Sequence, residues 1–104
     1  MSQFRAYSNA DAASRRSIPC WLSVQSDLID TVESRVVVPL IAPERAGPLV
    51  GSLMPTLTVA GKPMVMDTAQ ITNVPMQMLG RQLADLSADR LTIIGALDFL
   101  THGI

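Results

Sequence analysis

Residues 20–41 read "CWLSVQSDLIDTVESRVVVPLI", and two different kinds of strand lie at its ends. Cys20, Leu22 and Val24 alternate with Trp21, Ser23 and Gln25, the period of two expected of a strand with one face on a core. Arg35 to Ile41 instead form a nearly continuous β-branched run, the pattern of a strand buried on both faces. Pro39 interrupts that run without an N–H to give, so it belongs at a sheet edge or a bulge. Between the strands, "QSDLID" carries the Ser and Asp chemistry of a turn. Asp27 and Asp30 also have the spacing of a carboxylate pair for general acid–base work, but as turn-capping acids they need no further role. The alternation sets Trp21 on the face opposite Cys20 and Leu22, which predicts partial exposure or a subunit contact.

Working outward, the same period recurs. "QFRAY" (3–7) puts Phe4 and Ala6 on one face and Arg5 and Tyr7 on the other. Ser8–Arg16 is small and polar and reads as a loop in which Arg15 and Arg16 are solvated. Ala42–Ser52 holds two prolines and two glycines, and reads as an irregular loop or short turn. "TLTVAGKPMVMD" (56–67) reads as a hairpin with its turn at Ala60-Gly61-Lys62-Pro63. "ITNVPMQML" (71–79) is a further strand, with Pro75 marking an edge or bulge. Met64, Met66, Met76 and Met78 all fall at alternating strand positions, where methionine fills gaps in a core.

From Ser87 the period changes to that of a helix. Ser87 is placed to cap its N-terminus, and Asp89 in the first turn suits the positive end of the dipole. Ile93, Leu97, Leu100 and Ile104 fall at i, i+4, i+7 and i+11 and make one stripe, widened by Leu91 and Ile94. Gly103 is placed to end the helix in a left-handed conformation. The fold class is therefore mainly β with a C-terminal α-helix.

The chain has 104 residues, enough for a single domain over 1–104, and 48% of them are hydrophobic against 16% charged, which argues against disorder. Seven arginines, one lysine and nine acids give a net charge of −1, with no block of like charge to attract nucleic acid or membrane directly. No apolar stretch approaches the ~20 residues of a bilayer span, and the N-terminus lacks the apolar segment of a secretory signal. These features point to the cytoplasm. Cys20 has no partner for an internal disulfide, and its apolar setting makes it a buried, inert thiol. His102 is the only histidine. No His pair, Cys/His metal spacing, phosphate loop, dinucleotide fingerprint or nucleophile elbow occurs. The sequence thus gives no catalytic residue, metal or cofactor.

Three stretches together resemble the CcdB family of toxins. "LSVQSDLIDTVESRVVVPL" (22–40) is similar to that family's V-Q-S-D-hydrophobic-hydrophobic-D-T segment followed by R-x-V-(I/V)-P-L. "VPMQMLGRQLADLS" (74–87) is similar to its V-P-V-x-x-(I/L)-x-x-x-V-x-x-L-S, and the chain closes on an apolar helix and Gly-Ile. Gln3, Phe4 and Tyr7 fit as well, so the resemblance runs from residue 3 to residue 104. It implies an SH3-like barrel of the kind shared with the MazF ribonuclease toxins, and a homodimer with its C-terminal helices side by side. The implied function is that of a type II toxin–antitoxin toxin. Such a toxin binds the GyrA subunit of DNA gyrase, traps the gyrase–cleaved DNA complex, and has no catalysis of its own. A CcdA-type antitoxin would neutralise it, and the pair would bind operator DNA and repress their operon. The family's gyrase-contacting positions fall on Leu28 and Ile29 and on Asp98, Thr101, His102, Gly103 and Ile104. Three of them depart from the family pattern. His102 stands for a tryptophan that stacks on a gyrase arginine, Thr101 for a phenylalanine and Asp98 for an asparagine. Imidazole covers less area than indole, so the resemblance implies gyrase binding weakened by about 1 kcal/mol or more. Two alternatives stay open. One is a MazF-like ribonuclease using Arg15, Arg16 and Asp27, and the other is a non-toxic homologue that absorbs antitoxin.

Overall fold

The computed structural model describes residues 2–29 and 32–103. Asp30 and Ile104, which belong to the carboxylate pair and to the gyrase-contacting tip inferred from sequence, lie outside them. Strands β1 (Arg5–Asn9), β2 (Cys20–Ser23) and β3 (Ser34–Ile41) are followed by a one-turn helix α1 (Pro43–Ala46). Then come β4 (Thr56–Val59), β5 (Lys62–Met66), β6 (Thr72–Pro75), β7 (Leu79–Asp85) and the helix α2 (Arg90–His102). All pairings are antiparallel, in the order β4-β5-β3-β2-β1-β7, with β6 also on β3. The fold is mainly β, a curled sheet closed by a C-terminal helix, as the periodicities predict.

Pro39 sits where β3 changes partner. Ser34–Val37 pair with β6, whereas Leu40 and Ile41 pair with β5. The Pro39 carbonyl points to that side, accepting the Asp67 N–H at 3.0 Å. A residue's N and O lie on the same side of a strand, so the missing donor falls at the junction, where no ladder bond is lost. Pro75 ends β6, which among the described residues has β3 as its one partner strand.

Both faces of the sheet are covered. Ala6, Cys20, Leu22, Val38 and Leu40 pack with the hairpin residues Leu57, Val59, Met64 and Met66 and with Ile93 and Ala96 of α2. Tyr7, Trp21, Val37, Val74 and Leu79 form a second cluster, flanked by Ile18, Met76 and Met78. Trp21 is therefore 3% exposed, contrary to the sequence expectation. Alternation assigned its face correctly but carried no sign that this face has an apolar cover of its own. Burial has a cost here, since the indole Nε1 has no hydrogen-bond partner among the described residues. Met76 and Met78 lie in a 3-10 turn and are only half-buried, unlike Met64 and Met66. Cys20 is buried, and loss of hydration pushes its thiol up to about 11, as expected of an inert cysteine.

Several element boundaries differ from those expected. β1 continues through Ser8 and Asn9, because hydrogen bonds satisfy both polar side chains: Asn9 Nδ2 donates to Ser14 Oγ and the Ile18 carbonyl, and Ser8 Oγ accepts the Arg81 N–H. The hairpin turn is only Ala60-Gly61, with φ of 50° and 82°, and Lys62 already pairs with Val59. Two consecutive positive φ angles are the type I′ geometry that matches strand twist. The expected strand 71–79 breaks at Met76–Met78, and β7 follows as a separate strand on β1. Ser87 is not a helix cap. A 3-10 turn, Ser87–Asp89, precedes α2, and the Asp85 carboxylate accepts the Ser87 N–H and hydroxyl. The predicted loop 42–52 contains α1 and the start of a 3-10 turn, Gly51–Leu53.

Helix α2 packs across the turns Gly51–Leu53 and Thr68–Gln70. It buries Ile93 and Ala96 and half-buries Leu97, whereas Leu91 is 76% exposed and Ile94 40%. Leu91 and Ile94 thus do not widen the packed stripe; they face away from it. Leu100, at 37% exposed, lies at its margin. Gly103 ends α2 at φ 74°, donating its N–H to the Phe99 carbonyl, as the sequence predicted.

Candidate partner-binding site

The β2–β3 connection begins as a tight turn. The Ile29 N–H donates to the Ser26 carbonyl at 3.0 Å and the Leu28 N–H to Ser26 Oγ at 3.2 Å. Leu28 is 95% exposed, Ile29 58% and Val32 87%. Large apolar side chains grouped this way cost free energy in water and mark contact surfaces.

Beneath the turn lies a cation that sequence reading did not single out. Arg35, with 5% of its side chain exposed, enters from β3. Its Nε donates to Ser23 Oγ at 2.6 Å, and its Nη2 to the Gln25 carbonyl at 3.1 Å and to Asp27 Oδ1 at 3.2 Å. The same Asp27 oxygen accepts the Gln3 N–H at 2.9 Å. Gln25 spans the base of the loop, donating Nε2 to the Ile29 carbonyl and accepting the Val36 N–H. The legible signal was a lone arginine opening a run otherwise buried on both faces. A charge survives there only when paired.

The tip of α2 forms the second group. Asp98, Thr101, His102 and Gly103 are all exposed. Thr101 Oγ1 bonds back to the Leu97 and Asp98 carbonyls, and lies 2.8 Å from His102 Nδ1. His102 occupies the last turn, where a cationic side chain suits the negative end of the helix dipole. Of the positions inferred from resemblance, Leu28 and Ile29 thus share one loop. Asp98, Thr101, His102 and Gly103 share one helix end, and Ile104 lies outside the described residues.

The residues considered for catalysis are not assembled. Arg15 and Arg16 precede β2 and Asp27 follows it, so they sit in the loops at its two ends. Arg15 donates to the Ala10 carbonyl, while Asp27 is taken by Arg35 and Gln3. Among the described residues there is no group of three or more His, Cys, Asp or Glu able to hold a metal ion, and no helix is long and apolar enough to cross a membrane.

A family model described as CcdB protein matches residues 3–103. The match spans the exposed loop, the strand that anchors it and α2 to its glycine cap, and by it the chain belongs to the CcdB family, toxins of toxin–antitoxin modules.

Proposed function

We propose that this protein is a non-enzymatic poison of DNA gyrase. Its dimer binds the GyrA subunit through Leu28 and Ile29 and through the α2 tip, Asp98, Thr101, His102, Gly103 and Ile104, and traps the gyrase–cleaved DNA complex. A CcdA-type antitoxin neutralises it in the cytoplasm, and the two together repress their operon. The observation that carries this reading is the exposure of Leu28 and Ile29 in a chain of the CcdB family. Burial of such side chains on a partner returns about 1.5–3 kcal/mol each. The SH3-like barrel and the side-by-side helices of the dimer come with the family reading, and the outward Leu91 and Ile94 leave apolar area on α2 for a second copy.

The test is supercoiled DNA with gyrase, ATP and purified protein, stopped with detergent. Linear DNA is the expected product. Intact DNA at high protein concentration, beside an active CcdB control, overturns the reading. Sedimentation should give a dimer. Bulk RNA incubated without gyrase should remain uncut; cleavage would favour the ribonuclease alternative. A protein that binds antitoxin but neither poisons gyrase nor slows growth would be the decoy.

A further inference from the structure

Leu28 is almost wholly in water, yet the turn that carries it is tied by hydrogen bonds from the N-terminal segment, β3 and its own residues. Contacts made by Leu28 itself cannot account for this order. The anchors are polar and lie underneath. The Arg35 guanidinium ties Ser23 at the end of β2, the Gln25 carbonyl and the Asp27 carboxylate into one unit. Gln3 reaches that carboxylate from the N-terminal segment, and the Gln25 side chain fixes the Ile29 carbonyl to β3. A buried guanidinium is expensive, and apolar replacements often stabilise a fold as well or better. What apolar packing would not supply is a fixed direction for an exposed loop. Arg offers a planar fork of donors, which sets the angle between the groups it joins. A loop held in its bound shape before encounter loses less conformational freedom on association.

We infer that Arg35 and Asp27 are positioning residues for partner binding: they hold the Ser26–Ile29 turn so that Leu28 and Ile29 are presented to the partner already ordered. The inference rests on the reading that this pair meets the gyrase A subunit. Neither residue needs to touch the partner. Their effect passes through Leu28 and Ile29.

The experiment uses the full chain and a purified GyrA fragment in four binding titrations: the natural sequence, Asp27→Ala, Leu28→Ala/Ile29→Ala, and the triple variant. Asp27 is 61% exposed, but its carboxylate is the charge partner of the buried Arg35, so the unfolding free energy of each variant is measured beside its affinity, and binding is compared where all four remain folded. Asp27→Ala should weaken binding about five- to tenfold, while adding it to the Leu28→Ala/Ile29→Ala background should change affinity by less than about twofold. Amide exchange at Leu28 and Ile29 should accelerate in Asp27→Ala by more than the drop in global stability accounts for, while the amides of β2 and β3 accelerate only by that drop, a local response that a purely structural role would not give. Arg35→Lys, which keeps the charge and loses the fork, is the second variant and should reproduce both effects. An equal loss with and without Leu28 and Ile29, or unchanged affinity and exchange in Asp27→Ala, overturns the inference while leaving the gyrase reading in place. Failure of the natural protein to bind GyrA overturns that reading, and this inference with it.

Discussion

His102 stands in the last turn of α2 with its imidazole beside the Thr101 hydroxyl and its surface open to water. If this tip engages gyrase by stacking on a guanidinium, area and polarisability set its strength, and indole exceeds imidazole on both. His102→Trp should therefore lower the protein concentration needed for half-maximal DNA cleavage by about tenfold, near 1.4 kcal/mol. An unchanged or weaker response in the gyrase assay would show that this end is used differently. A second residue-scale case is Gly80, which a reading by periodicity passes over. A Cβ there would lie 2.1 Å from Ser8 Oγ, the atom that accepts the Arg81 N–H. Gly80→Ala should cost about 1–2 kcal/mol in urea denaturation, roughly the loss of that hydrogen bond plus local strain. Combined with Ser8→Ala, the second substitution should cost less than it does alone. Chemistry carried by one side chain's identity and its apolar setting, as in the buried thiol of Cys20, was legible in the sequence. Chemistry that depends on a neighbour 73 positions away, as in Ser8 and Arg81, was not.

At the scale of elements, α2 shows how far a helical period can be read. The sequence located the helix and its glycine cap, because both signals are local. It could not say which part of a broad apolar arc faces the sheet, since Leu91, Ile93, Ile94 and Leu97 are equally hydrophobic. The packed turns decide in favour of Ile93 and Ala96. Ile93→Ala should accordingly cost about 2–5 kcal/mol, whereas Leu91→Ser or Ile94→Ser, whose side chains are left for a second copy, should stay within about 0.5 kcal/mol when denaturant unfolding is followed in protein dilute enough to be monomeric. Similar costs for all three would place the packed face elsewhere. The junction of β7 with α2 carries a pH dependence. The Ser87 hydroxyl and N–H, with help from Arg5, hold the Asp85 carboxyl below its ordinary 3.8. A carboxyl lowered in the folded state stabilises above its unfolded value and loses that contribution as pH falls through the folded value. The stability difference between the natural protein and Asp85→Asn should thus be constant near neutrality and shrink below about pH 4. A difference that persists undiminished at pH 2 would rule this linkage out.

Over the whole molecule, the mainly β class and the helical close followed from the change of period alone, and the two-sided burial of β3 from its unbroken run. The second apolar cluster did not, because Tyr7, Trp21, Val74 and Leu79 come from four strands whose adjacency only the pairing order reveals. The loop and the α2 tip are singled out by resemblance alone, while the hydrogen bonds of the Arg35 anchor beneath the loop needed three-dimensional geometry. The pairing order also bears on synthesis. β1 lies between β2 and β7, so β1 leaves the ribosome long before the strand that bonds one of its sides. Until residues 79–86 emerge, the Ser8 hydroxyl lacks the Arg81 N–H, and the Phe4 carbonyl lacks the Leu86 N–H. A nascent chain therefore carries an open edge along β1 until β7 emerges, and that edge is a template for pairing with other chains. The sheet is complete only when α2 is next in line, so α2 docks onto a body whose edge has just closed.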